Sequence, residues 1–135
     1  MTAEAAEAAF VAAFIERSRQ ERVLLQLRGK RRGRFCQGEL PHFAEFDRRF
    51  CKRVPTREQN REGILALLRG RGAPERCHVI SADGHLDGQT MPLEDALEQT
   101  VGESRGTIII CNPGALAYFE GEEHGMRLLL CRPRR

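Results

Sequence analysis

Long apolar runs are missing from this chain of 135 residues. Runs such as Ile108–Cys111 and Leu128–Cys131 fall far short of the about 20 residues a membrane helix requires, so no bilayer-spanning segment is expected. C-x-x-C pairs are missing too, and the five cysteines are an odd number. A disulfide framework is therefore excluded, and the thiols suit a reducing compartment. Glu4 and Glu7 stand where a secretory signal would carry positive charge, so export by that route is not expected either. The expected location is the cytoplasm. Lysine is scarce: only Lys30 and Lys52 occur, and the basic surface is nearly all arginine, which favours planar, bidentate contact with phosphate or carboxylate. G-x-S-x-G, H-E-x-x-H, P-loop and G-x-G-x-x-G patterns are absent, which removes the common hydrolase, metalloprotease and nucleotide-binding signatures.

What is present fits one globular domain over residues 1–135, because a chain of this size buries a contiguous core without staples. Charge is uneven. Residues 1–76 hold 17 Lys and Arg against 10 Asp and Glu, whereas residues 77–135 hold 5 against 9. The basic half has either an outside anionic partner or the acidic half to pair with.

From Ala3 to about Leu27 the residues are helix formers without Gly or Pro, and Val11, Phe14, Ser18, Glu21 and Leu25 recur at steps of three and four. One helix is predicted there. Residues 28–34 then form a loop or a helix start, and 35–54 is assigned mostly to helix, with a short strand at Phe50 to Val54 as the alternative. Thr56 to Gln59 has capping-box form ahead of Ile64, Leu67 and Leu68, with Gly70 and Gly72 at the helix end. At Cys77 the period changes. Strands are predicted at Cys77–Ser81, Thr107–Cys111, Ala115–Glu120 and Met126–Cys131, with a helix opened by Pro92 that turns Leu93, Ala96, Leu97 and Val101 inward. The expected fold is α+β, with N-terminal helices packed on a C-terminal antiparallel or mixed sheet of about four strands. Asn112-Pro113-Gly114 should make a looser connection than a tight hairpin, since an L-Pro-Gly turn matches strand twist poorly.

The sharpest local pattern is Asp83-Gly84-His85-Leu86-Asp87-Gly88, followed by Gln89 to Glu94. It sets Asp83, Asp87 and Glu94 at the first, fifth and twelfth places of a calcium loop, with glycine sixth. His85 at the third place is a poor ligand for a hard cation and suits zinc, manganese or iron better. Asp83, His85, Asp87 and Glu94 are thus the candidate divalent-metal ligands, with His78 or Cys77 available to complete a thin set. The plainer and preferred alternative is two Asp-Gly turns.

Cys111, at a strand end before a turn, is a candidate reactive thiol if His78 or His85 reaches it; Cys77, Cys111 and Cys131 otherwise read as small buried hydrophobes. His42 beside Phe43, and His124 in a polar loop, read as structural or solvated. Arg28, Lys30, Arg31, Arg32 and Arg34, with Arg48, Arg49, Lys52 and Arg53 further on, form a candidate nucleic-acid-binding region, with the Phe35 ring available for stacking. Aromatics at 6% and the absence of RNP, KH or helix-turn-helix signatures weigh against it.

Cys77-His78-Val79-Ile80-Ser81, Leu86-Asp87-Gly88, Pro92 to Leu97, Gly106-Thr107, Asn112-Pro113-Gly114 and Leu116 to Glu120 together resemble a group of small uncharacterised bacterial proteins over roughly residues 73–120. The resemblance implies a cytosolic bacterial protein and no activity. The favoured functional expectation is a non-enzymatic binding or regulatory module with a protein partner or a second copy, through the alanine-rich helix or the final strand. A small metal-dependent protein or enzyme using loop 83–94 with Cys111 comes second, and nucleic-acid binding by region 28–53 third.

Overall fold

A computed structural model describes residues 1–123 and 125–133 of the chain. Helix α1, Ala3–Phe14, is capped by the Thr2 hydroxyl, which accepts from the Ala5 N–H at 3.1 Å. The single helix expected over residues 3–27 is two: the chain turns extended at Ile15, and α2 spans Gln20–Arg28. Neither Gly nor Pro causes the break. Ile15 forms an isolated antiparallel bridge with Phe46, the Glu16 N–H donates to the Glu45 carbonyl at 2.9 Å, and the Asp47 N–H donates to Phe14 at 2.7 Å. Distant backbone partners outweigh local propensity there.

Residues 35–54 are less helical than expected. Helix α3 covers Arg32–Gly38; two single 3-10 turns, Leu40–His42 and Arg48–Phe50, lead to strand β1, Cys51–Arg53. The capping-box reading is also corrected. Thr56–Glu58 is a 3-10 turn, and α4, Arg61–Gly70, is capped by Asn60, whose side-chain oxygen accepts from Gly63 N–H at 2.7 Å. Gly63 is required because a Cβ there would lie 2.6 Å from the Glu58 carbonyl oxygen.

After residue 75 the reading of alternating extended segments holds. Strands β2 (Arg76–Ser81), β3 (Thr90–Pro92), β4 (Thr107–Asn112), β5 (Leu116–Glu120) and β6 (Arg127–Cys131) are joined by helix α5, Leu93–Thr100, which follows Pro92. The sheet is antiparallel and has six strands rather than about four, in the order β1-β6-β5-β4-β2-β3. The two extra strands are three-residue edges: β3, which ends on Pro92, and β1, which the first half of the chain contributes beside β6. The final strand is therefore covered on both sides and offers no free edge to a second copy.

Alternation along the strands divides the core in two. Ile80, Ile108, Ile110, Ala117, Phe119 and Leu130 face α1, α2 and α3, whereas Val79, Ile109, Cys111, Leu116, Tyr118 and Leu129 face α4 and α5. Helices thus cover both faces, with α5 contributed by the second half. On the first face Phe46 meets Phe43 at 4.8 Å and Phe119 at 5.0 Å between ring centroids, binding the irregular segment to β5. The β4–β5 connection is a turn with Ala115 N–H donating to Asn112 at 2.9 Å and a register shift between Ile110 and Asn112. The regular ladder is thus interrupted where the strand enters the Pro-Gly turn. No helix among the described residues is long and apolar enough to cross a membrane.

Candidate functional site

Glu7 lies on the same side of α1 as Phe10, Val11 and Phe14, so folding carries its carboxylate into the interior, where it is 5% exposed. A lone buried carboxylate is costly; this one is matched. His78, on the same side of β2 as Ile80, places Nε2 at 2.6 Å from Glu7 Oε2. Burial alone would raise the Glu7 carboxyl, but its hydrogen bonds to His78 and Arg32 outweigh that and hold it below the usual carboxylate range. An ionised carboxylate only accepts, so Nε2 of His78 carries the proton. Nδ1 lies 3.3 Å from the Thr90 hydroxyl.

Arg32 occupies the centre. Its Nη1 and Nη2 donate to the two Glu7 oxygens at 2.6 and 2.9 Å, its Nε and Nη2 donate to the two Asp87 oxygens at 2.8 and 2.9 Å, and Nη1 also donates to the Leu27 carbonyl at 3.3 Å. All five guanidinium donors are used. The Asp87 and Glu7 hydrogen bonds raise its pKa above an already high value, so it is a permanent cation. Asp87 in turn accepts the Ser81 backbone N–H at 3.0 Å. One guanidinium thereby ties α1, the end of α2, α3 and the β2–β3 loop to one another. Cys36 lies beside this group with its sulfur 3.9 Å from Asp87, and burial together with that carboxylate pushes its thiol up to about 12.

The candidate metal residues are dispersed. Asp83 is the side-chain acceptor of a turn, taking the His85 N–H at 2.9 Å, and pairs with Arg105 at 2.8 Å; His85 is exposed; Asp87 is occupied by Arg32; Glu94, on α5, pairs with Arg69 at 2.7 Å. Among the described residues no group of three or more His, Cys, Asp or Glu side chains is placed to hold a metal ion. The loop is closed instead by turn bonds, Asp87 N–H to Asp83 at 2.9 Å and Gly88 N–H to Val79 at 2.8 Å, with Gly88 at φ +80°.

Cys111 is buried on the α4–α5 side of the sheet, while His78 bonds to Glu7 on the other. Burial and the nearby Cys77 push the Cys111 thiol far up. The arrangement is that of a packed thiol, not an activated nucleophile. No family model, curated protein or solved structure matches this chain. The site therefore stands on its own geometry.

The basic run divides in two. Arg32 turns inward, whereas Arg28, Lys30, Arg31 and Arg34 are exposed and form no ion pair among the described residues. Phe35, expected to be available for stacking, is 3% exposed in the α1–α3 core and meets Phe43 instead. Arg49 of the outlying cations is paired to Asp47 at 2.7 Å. His42 is exposed and pairs with Glu122 at 2.8 Å; His124 lies outside the described residues.

Sequence reasoning missed Glu7 as a site residue. A signal was there: an acidic residue at helical spacing from Phe10, Val11 and Phe14 sits where only apolar or paired side chains are stable. A second buried carboxylate, Glu120, was missed as well. It accepts from the Tyr118 hydroxyl at 2.8 Å and from Ser104 N–H at 2.8 Å, and it holds the loop in which Ser104 adopts φ +53°. Its place at the end of an apolar strand was a weaker signal.

Proposed function

We propose that this protein is a cytoplasmic, non-enzymatic binding module that engages an anionic partner through the turn from Arg28 to Arg34. One observation carries the reading: four cations without ion-pair partners among the described residues surround a fifth, Arg32, whose donors are all engaged internally. Such a clamp fixes the backbone on which the free cations stand. Binding then costs less ordering entropy than it would on a mobile loop. Gly33, in the first turn of α3, has open space around its Cβ position, so an anion can approach the backbone closely there. The chemically versatile groups are consumed in holding the fold: Glu7, His78 and Asp87 pair internally, and Cys111 is packed. These commitments favour recognition over catalysis.

The test is fluorescence anisotropy with labelled polyglutamate and labelled duplex DNA at low salt. Wild type should bind at least one of the two with strong salt dependence, since each phosphate neutralised contributes about 0.9 to the logarithmic salt slope on duplex DNA. Reversing Arg28, Lys30, Arg31 and Arg34 to Glu together should abolish binding, while reversing the exposed Arg48 and Arg57 should have little effect. Binding of neither probe, or equal binding by the reversed turn, overturns the reading.

A further inference from the structure

Beside the cations of the turn lie a pocket of mixed lining and an exposed leucine that a bare polyanion would not use. A pocket of about 190 Å³ opens between the start of α1 and the end of α2, walled by Ala3, Leu24 and Leu27, with Arg28 among its lining residues and with Glu7, Arg32 and His78 also reaching it. Those three are engaged with one another, and Arg32 also with Asp87, by the contacts described above. Glu4 is the remaining carboxylate along the lining. Elsewhere on the surface of α2, Leu25 is 67% exposed, one of only two large hydrophobic side chains so exposed among the described residues, and the other is Met1 at the chain start. Leu25 and Arg28 are three residues apart on a helix and so share a face.

Resting on the reading of the 28–34 turn as a binding surface, we infer that its partner is an acidic, leucine-bearing polypeptide segment: an aliphatic side chain of the partner packs on Leu25 beside Arg28, and its carboxylates pair with Arg28, Lys30, Arg31 and Arg34. Charge complementarity selects an anion, and Leu25 selects among anions. A nucleic-acid backbone has no group that gains from covering Leu25. Its bases would seek an aromatic platform, and the ring nearest the turn in sequence, Phe35, is buried. Arginine serves here because its fork accepts a carboxylate in two bonds while the alkyl stem lies along apolar surface.

Three probes separate the outcomes: a helix-forming peptide of Glu, Ala and Leu with its leucines on one face, a Glu-Ala peptide of equal length and charge, and duplex DNA. The leucine peptide should bind about tenfold tighter than its leucine-free match, the scale of one partly buried aliphatic side chain. Leu25→Gln should remove that difference and leave the affinity for the Glu-Ala peptide unchanged, with circular dichroism and Tm as in wild type because the side chain is exposed. If the leucine and Glu-Ala peptides bind equally, or DNA binds tighter than both, the inference fails while the basic turn stands as a binding surface. If none of the three binds at low salt, the reading of the turn itself fails.

Discussion

Glu7 Oε2 and His78 Nε2 stand 2.6 Å apart although 71 residues separate them in the chain. This contact joins the first helix to β2, the strand beside the β3 edge of the sheet, and Arg32 completes it by holding Glu7 and Asp87 at once. Removing the central cation leaves two carboxylates facing each other in a shielded place. Arg32→Met should therefore lower unfolding free energy in urea at pH 7 by about 3 to 5 kcal/mol, the usual result of breaking a buried ion pair from one side. Glu7→Gln keeps an acceptor for Arg32 and for His78 and should cost less, about 1 to 3 kcal/mol. An equal loss for both would mean that the amide fails to replace the carboxylate as acceptor.

The lowered Glu7 carboxyl fixes the sign of a pH effect. Its folded-state value lies below the ordinary 4.5, so the folded state holds the ionised form more strongly than the unfolded chain does. The stability it contributes is full above that ordinary value and is lost as pH falls through the folded one. Urea unfolding of wild type and Glu7→Gln should differ most near neutrality, and the gap should close progressively below 4.5. A gap that stays constant down to pH 3 would refute this.

Three glycines should respond differently to alanine. At Gly106, φ is +97° and a Cβ would fall 2.7 Å from Pro41 Cα, so both backbone strain and overlap oppose the change. Gly63 meets Glu58 backbone at 2.6 Å without unusual φ. Gly33, inside α3, has nothing within 4 Å. Gly106→Ala and Gly63→Ala should each cost more than about 1 kcal/mol, whereas Gly33→Ala should stabilise by roughly 0.5 to 1 kcal/mol. Thermal denaturation of the three variants checks the order.

Cysteine labelling should follow burial. Cys77 and Cys111 are buried with raised thiols, Cys77 pushed up to about 12 by burial, and Cys36 is held in the same way. Cys131 is half-buried with the Arg71 guanidinium 3.4 Å from its sulfur. Iodoacetamide at neutral pH should modify Cys131 first, leave Cys36, Cys77 and Cys111 intact in the folded protein, and modify all five in urea, as read by peptide mass spectrometry. Early modification of Cys111 would restore it as a reactive thiol.

The sheet was legible because its strands carry their own pattern: Ile108, Ile109 and Ile110 are apolar on both faces, and Pro92 and Gly102 mark the ends of α5. The first half was less so. The break at Ile15 is made by Phe46 and Glu45, and β1 exists because Leu128 to Leu130 need a neighbour. These causes lie outside any local window. The charged cluster was half legible. Glu7 among phenylalanines signals a buried carboxylate, but which of the many arginines answers it depends on how three helices meet, and spacing cannot encode that. The Asp83 to Glu94 spacing was legible, but spacing alone does not reveal that the same aspartates serve turns and Arg32.

Arg32 links stability to recognition, and a charge-conserving change separates the two. Arg32→Lys keeps the cation but has three donors on one nitrogen in place of a planar fork, so it cannot hold Glu7, Asp87 and the Leu27 carbonyl together. The free cations of the turn keep their number, so the salt slope of binding should be unchanged. Their backbone loses its clamp, so affinity for polyglutamate should fall by roughly threefold to tenfold, and amide hydrogens of residues 29–33 should exchange faster. Faster exchange with unchanged affinity would show that the turn binds without needing to be held, and the clamp would then serve the fold alone.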